Sequence, residues 1–259
     1  MLILLTNDDG IYAPGLVALY HELVSLGEVQ VVAPASVESA TSHGITLKKP
    51  LLTSQVTIPG AFTGTAVDGR PADCVKLAVS HLLPRRPDLV VSGINSGANV
   101  GINVIYSGTV AAAIEGAFLG LPSIAVSLHL HGEVTPDYDR AAKLARETIR
   151  QILGVGLSPR QVVTVNLPAL KPGESPAGVK IVRQCTRPWA DTYEKRADPR
   201  GHDYFWNTSV FALRTDSDDT DVAALRDRYV TITPLQFDLT DHALLGEWSR
   251  KQWSGFQKG

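Results

Sequence analysis

Short runs that are apolar on both faces alternate with helix-type runs from the first residues onward, and this alternation restricts the fold more than any other feature. Leu2–Thr6 reads as a buried strand. A helix follows from Pro14, a favoured first-turn residue, with Leu16, Leu19, Tyr20 and Leu23 at three-to-four spacing. Val29–Ala33 reads as the next strand, stopped by Pro34. Helix Pro71–Leu83 precedes strand Asp88–Ser92, helix Thr109–Leu119 precedes strand Ser123–Leu128, and helix Asp137–Leu153 precedes strand Gln161–Asn166. Strands with no polar face need cover on both sides, and strands separated by helices pair in parallel. The expected fold class is α/β, with a mostly parallel sheet.

The pattern changes after about residue 170. Pro, Gly and charged residues become denser (Lys171-Pro-Gly-Glu-Ser-Pro), and β-type segments at Val179–Arg183 and Tyr229–Thr233 flank a long polar stretch. Asp238 onward reads as a terminal helix ending with Trp248 and Trp253. We expect one domain over residues 1–259, with a core of roughly 1–170 and an extension of roughly 171–259 built on it. Hairpin-like arms with exposed aromatics serve oligomer contacts in many proteins. No internal repeat or low-complexity tract interrupts the chain.

Composition narrows the function classes. With 24 Lys+Arg against 26 Asp+Glu the formal charge is −2, so no global basic field exists to hold a nucleic-acid duplex or an anionic membrane. Hydrophobic residues make up 44% of the chain, which argues against disorder. The two cysteines, Cys74 and Cys185, are far apart and belong to no CxxC pair, which argues against a disulfide framework or a cysteine-based zinc knuckle. The apolar start is six residues long and meets Asn7-Asp8-Asp9 at once. It matches neither a secretory leader nor a membrane span, and the expected location is the cytoplasm.

Four loops carry the residues that could do chemistry. Asp8 and Asp9 follow the first strand. In open α/β sheets ligands bind at this strand edge, and adjacent carboxylates repel unless a proton or cation lies between them. Hard divalent cations such as Mg²⁺ select carboxylate oxygens, although Asp-Asp-Gly equally suits a plain turn. Ser92-Gly93-Ile94-Asn95-Ser96-Gly97-Ala98-Asn99 follows a buried strand and offers close backbone approach and amide ligands. Its glycine spacing is neither the dinucleotide fingerprint nor a Walker loop. Tyr106-Ser107-Gly108-Thr109 opens a small-residue helix, where free N–H groups favour a phosphate and where an ordinary N-cap fits as well. Pro34–Gly44 is hydroxyl-rich and includes Ser39 and His43.

All four loops fall at strand C-termini, so together they surround one crevice suited to a metal–phosphate complex. No Gly-x-Ser-x-Gly elbow occurs, which argues against a serine hydrolase. His129 and His131 share a face if extended, but such pairs more often lie in solvated loops. Asp216, Asp218, Asp219 and Asp221 lack the Gly and Glu of a calcium loop and read as a solvated acidic loop.

Leu4-Leu5-Thr6-Asn7-Asp8-Asp9-Gly10-Ile11, Val32-Ala33-Pro34, Pro71-Ala72-Asp73-Cys74-Val75, Ser92–Asn99, Val104–Ala113 and Tyr229–Leu235 resemble the SurE survival-protein family, in order and over nearly the whole chain. The resemblance implies a Rossmann-like three-layer αβα core and homodimers or homotetramers built through swapped C-terminal arms. It implies a metal-dependent phosphatase acting on nucleoside 5′- and 3′-monophosphates, with exopolyphosphatase activity on polyphosphate. By motif position the metal ligands fall on Asp8, Asp9, Ser39 and Asn95, and Asn99 with Ser107-Gly108-Thr109 lines the phosphate site. Two departures stand out: the Ser39 loop differs from the usual Arg-Ser-Gly-Ala-Ser wording, and Asp68-Gly69-Arg70-Pro71 replaces the usual Gly-Thr-Pro.

The expected chemistry is one Mg²⁺ or Mn²⁺ on Asp8, Asp9, Ser39 and Asn95, with an activated water attacking phosphorus. Asn99, Ser107 and the Thr109 backbone would hold the phosphoryl charge. Two other classes fit the loops less fully: a regulatory module that holds metal–phosphate without turnover, and a structural α/β subunit.

Overall fold

In the computed structural model, described for residues 1–130, 135–188, 192–208, 213, 215, 217–251 and 253, the N-terminal run is strand β1 (Leu2–Thr6), buried at every position. Helix α1 (Pro14–Leu23) follows with Pro14 in its first turn and buries Leu16, Leu19 and Leu23. Strand β2 (Glu28–Pro34) then pairs in parallel with β1. Next come β3 (Thr53–Thr57), β4 (Thr63–Val67), α2 (Pro71–Leu77) and β5 (Leu89–Ser96). A one-turn helix α3 (Asn103–Tyr106) leads into α4 (Gly108–Phe118), β6 (Ser123–Leu128), α5 (Tyr138–Val155) and β7 (Val162–Leu167). The rest comprises β8 (Val179–Ile181), β9 (Tyr193–Ala197), β10 (Asp203–Asn207), α6 (Asp221–Arg226), β11 (Val230–Leu235) and α7 (His242–Trp248).

Nine strands form one sheet in the order β3-β4-β2-β1-β5-β6-β7-β11-β8. Pairing is parallel from β4 through β7, and antiparallel for β3 with β4 and for β11 with β7. This is the expected α/β class. From β1 the chain moves outward through β2 to β4, then returns to set β5 on the other side of β1. The strand order reverses there, so a crevice opens beyond the C-terminal ends of β1 and β5.

Alternation along the strands divides the core into two layers. Ile3, Leu5, Val91, Val126 and Val165 face α1 and α5, whose Leu16, Leu19, Ala145 and Ile149 complete that layer. Leu4, Val32 and Val90 face the opposite way, onto Cys74 and Val75 of α2 and Ala112 of α4. A fully buried Leu or Ile of this kind contributes about 1.5–3 kcal/mol by leaving water. Helix α5 presents Ala141, Ala145, Ile149 and Ile152 as one inward stripe, and its Asp137 cap accepts the Arg140 N–H.

Several elements differ from the expectations. The helix expected over Pro71–Leu83 is α-helical only to Leu77 and widens into a π turn at Ala78–Leu82. β3 and β4 were not anticipated; β3 is the polar, largely exposed edge strand Thr-Ser-Gln-Val-Thr, with no apolar alternation to announce it. The polar stretch after residue 190 contains the antiparallel hairpin β9–β10. The terminal helix begins at His242, four residues later than expected, and Trp253 lies beyond its end.

Asp221 is not part of a solvated loop. It is fully buried at the start of α6, where its carboxylate accepts the N–H groups of Gly101, Cys185 and Val222. Asp218 and Asp219 are exposed as expected, while Asp216 and His131 lie outside the described residues. Among the described residues no helix is long and apolar enough to cross a membrane.

Candidate active site

The turn after β1 is closed by Asn7. Its side-chain amide donates to Gly10 O at 2.9 Å, and its amide oxygen accepts the Gly10 N–H at 3.2 Å. This clasp carries Asp8 and Asp9 into the crevice. Asp8 is buried, and the Thr109 hydroxyl donates to its Oδ1. Burial pushes the Asp8 carboxyl up to about 6; the Thr109 hydrogen bond pulls the other way and neighbouring Asp9 adds to the rise. Among the described residues no Lys, Arg or His forms an ion pair with it. Asp9 is half-buried, and its Oδ2 accepts the Ser96 N–H at 3.0 Å, tying the β1 turn to the end of β5.

Helix α4 reaches Asp8 because its first residue has no side chain. A Cβ on Gly108 would stand 2.9 Å from Asp8 Cβ, 3.0 Å from Asp8 Oδ2 and 3.2 Å from Pro71 Cγ. Glycine therefore lets the open N–H groups of the first α4 turn approach the carboxylate. Ser107 is the N-cap, its Oγ accepting the Val110 N–H at 3.1 Å. Thr109 is fully buried and commits its hydroxyl to Asp8.

The hydroxyl-rich loop is fastened along its length. Glu38 N–H donates to Asp8 O at 2.8 Å, Ser42 donates its N–H to Tyr106 O and its hydroxyl to Ile105 O, and Thr46 N–H reaches the Asp73 carboxylate. Ser39 is exposed between these anchors, and among the described residues its hydroxyl has no hydrogen-bond partner. Asn95 donates its amide to Gly97 O at 2.7 Å, and among the described residues its amide oxygen takes no hydrogen bond. Asp8, Asp9, Ser39, Asn95, Ser107, Gly108 and Thr109 thus sit on segments that these bonds draw together.

Asn99 is held from a different side. Its backbone N–H donates to Asn166 Oδ1 at 2.8 Å, Asn166 returns a bond to Asn99 O at 3.2 Å, and the Asn99 amide donates to Ser127 Oγ at 2.8 Å. Asn166 and Ser127, at the ends of β7 and β6, were missed by the sequence reading. The available signal was a polar residue inside each otherwise apolar strand run. Thr6 Oγ1 and Ser92 Oγ, register partners on β1 and β5, are buried with no hydrogen-bond partner among the described residues.

His43 does not stand free as a proton donor in the crevice. Its Nε2 lies 2.9 Å from Glu115 Oε2, and its ring stacks on Phe118. Lys76 approaches the other Glu115 oxygen at 3.1 Å. Burial pushes Glu115 up, but the bonds from His43 and Lys76 outweigh it and hold the carboxyl below its ordinary value.

The family model described as "Survival protein SurE" matches residues 3–191. The chain belongs to the SurE family. It is 45% identical over 252 residues to the 5′-nucleotidase SurE of Syntrophobacter fumaroxidans (strain DSM 10017 / MPOB), covering 96% of this chain and 100% of that one. It is 47% identical over 255 residues to the 5′-nucleotidase SurE of Rhodopirellula baltica (strain DSM 10527 / NCIMB 13988 / SH1), covering 98% and 99%. The crystal structure of the SurE protein from Aquifex aeolicus superposes with a TM-score of 0.81 at 37% identity, covering 95% of this chain and 98% of that one. At 95% coverage the structural likeness extends past residue 191.

Proposed function

We propose that this SurE-family chain is a metal-dependent phosphomonoesterase that hydrolyses nucleoside 5′- and 3′-monophosphates to nucleoside and phosphate, with polyphosphate as a further substrate. The observation that carries this reading is the meeting of Asp8 with Gly108 and Thr109. A buried carboxylate with no cationic partner among the described residues lies against the start of an eleven-residue helix, at the point where the strand order reverses.

The donor set fits a hard divalent cation, Mg²⁺ or Mn²⁺. Asp8 and Asp9 carboxylates, the Ser39 hydroxyl and the Asn95 amide oxygen are all oxygen donors. Among the described residues no cluster of three or more His, Cys, Asp or Glu offers a softer or more acidic site. A cation also answers the electrostatics of Asp8, which burial keeps protonated to an unusually high pH. When bound, it supplies positive charge to the phosphate and acidifies the attacking water.

The protein's own groups orient and stabilise. N–H groups at the start of α4 point to where charge spreads over the phosphoryl oxygens. Thr109 fixes the Asp8 rotamer, Ser96 fixes Asp9, and the Ser39 loop closes over the crevice from the Glu38 anchor. Asn99, its backbone held by Asn166 and its amide nitrogen by Ser127, keeps its amide oxygen as the group that remains for the phosphate side. We read the β9–β10 hairpin and α7 as the arms through which copies assemble into dimers or tetramers. Tyr193, Phe205 and Trp206 are exposed on the hairpin, and α7 buries none of its residues.

Phosphate release from AMP and from 3′-AMP, with Mg²⁺ or Mn²⁺ and then with excess EDTA, tests the reading. Turnover lost with EDTA and abolished in Asp8→Asn is expected. Metal-independent turnover, or a fully active Asp8→Asn enzyme, refutes the scheme, and binding without turnover favours a regulatory module.

A further inference from the structure

Beside the Ser39 loop runs an open groove whose polar lining is Glu38, Thr46, Lys48, Lys49, Asp68 and Arg70. Its charges are not fully matched. Lys49 Nζ lies 3.0 Å from both oxygens of Asp68, which accounts for that pair. Among the described residues neither Arg70 nor Lys48 has an ion-pair partner, and Glu38 is the one carboxylate lining the groove that no cation engages.

Arg70 is seated rather than loose. Its N–H donates to Asp73 Oδ2 at 2.9 Å, and Pro71 follows at the start of α2. Its guanidinium lies directly over Gly44, where any Cβ would fall 1.6 Å from Nη1. Gly44 belongs to the loop that carries Ser39, so the guanidinium lies against that loop.

Groove and crevice are also contiguous. Pro71, the residue after Arg70, packs toward Gly108, which in turn abuts Asp8. Glu38 lines the groove while its N–H is bonded to Asp8 O. A substrate phosphate held at Asp8 and Gly108 therefore has a neighbouring wall where Arg70 and Lys48 outnumber the one unengaged lining carboxylate, Glu38. A planar guanidinium matches phosphate oxygens in bidentate fashion, and an ammonium adds a point charge.

We propose that Arg70 and Lys48 form a second anion seat, which takes a further phosphate group carried by the substrate. The same chemistry is offered by a nucleoside 3′,5′-bisphosphate and by a short inorganic polyphosphate. The seat rests on the phosphomonoesterase reading for its catalytic consequence but not for its binding consequence.

The test compares wild type, Arg70→Gln, Arg70→Lys and Lys48→Gln on AMP, adenosine 3′,5′-bisphosphate and tripolyphosphate at fixed free Mg²⁺. Arg70→Gln is expected to lower kcat/KM about tenfold, through KM, on at least one substrate with more than one phosphate group while AMP stays within about twofold. Arg70→Lys should restore part of the loss, and Lys48→Gln should show a smaller loss of the same kind. Whichever polyanion responds identifies the source of the second phosphate. An equal fall on AMP, or no change on any substrate, overturns the seat. If wild type releases no phosphate at all, the phosphomonoesterase reading fails by itself. Calorimetric binding of tripolyphosphate then decides: loss in Arg70→Gln keeps the seat, and unchanged binding overturns it.

Discussion

Asn166 grips the backbone of Asn99 at both polar ends, accepting its N–H at 2.8 Å and donating to its carbonyl at 3.2 Å. Both residues are buried, and 67 positions separate them in the chain. The clamp converts a glycine-rich loop into a fixed wall, because the loop's central residue cannot shift without stranding two buried groups.

Asn166→Ala removes both bonds at once. Each stranded backbone group costs about 1–3 kcal/mol, so the denaturant midpoint should fall clearly. Phosphate release should fall by more than the unfolded fraction explains. Ser127→Ala strands only the buried Asn99 amide, so it should reduce turnover with about half the loss of stability. Equal urea midpoints for wild type and Asn166→Ala would remove the clamp from the account.

Gly108→Ala introduces one methyl group where Asp8 and Pro71 leave no room. Overpacking of this kind costs about 1–3 kcal/mol, and relief requires α4 or Asp8 to move. The expected result is a folded protein with at least tenfold lower turnover and weaker Mn²⁺ binding by calorimetry. Wild-type metal affinity in this variant would show that the close approach has no bearing on the crevice.

Two buried carboxyls give opposite pH dependences. Asp8 has a folded pKa of about 6, above its ordinary 3.8, so between those values the folded state holds more protons than the unfolded one. Its contribution is full below pH 3.8 and is lost as pH rises toward 6. In EDTA, Asp8→Asn should therefore gain stability on wild type between pH 4 and pH 6, by about 3 kcal/mol at most. Glu115 is held below its ordinary value, so its contribution is present above that value and lost as pH falls through the lowered one. Glu115→Gln should flatten the acid limb of the stability curve. Parallel curves for all three proteins would contradict both assignments.

The hairpin prediction concerns assembly. β9 and β10 are exposed at every position, and an isolated two-stranded hairpin is marginal in water. Phe205→Ser with Trp206→Ser should shift the oligomer toward monomer in sedimentation velocity while leaving the thermal midpoint of the core within a few degrees. A wild-type protein that is already monomeric would refute the arm role.

The parallel core was legible because its strands carry no polar face, a pattern that leaves few alternatives to an α/β sheet. Asp8 and Asp9 were legible for the same reason, since they follow directly on a buried run, and the Ser107–Thr109 turn was legible from the small-residue helix it opens. β3 was not, because an exposed edge strand needs no apolar alternation and Thr53-Ser-Gln-Val-Thr looks like a loop. Asp221 was misjudged because neighbouring aspartates suggested solvent. Its burial depends on three backbone N–H groups, two of them from Gly101 and Cys185, which local sequence does not announce. The role of Asn166 is likewise a tertiary fact: its partner lies two strands away.

Asp8 meets Thr109 across 101 residues, and Asp9 meets Ser96 across 87. No contiguous fragment of modest length can hold both halves of the crevice, so the chemistry belongs to the finished sheet rather than to any segment of it. Contacts this far apart close late and slowly. A nascent chain still lacking α4 accordingly has its paired carboxylates without the helix that completes them. On the proposed scheme such a chain is catalytically silent until α4 has docked against Asp8.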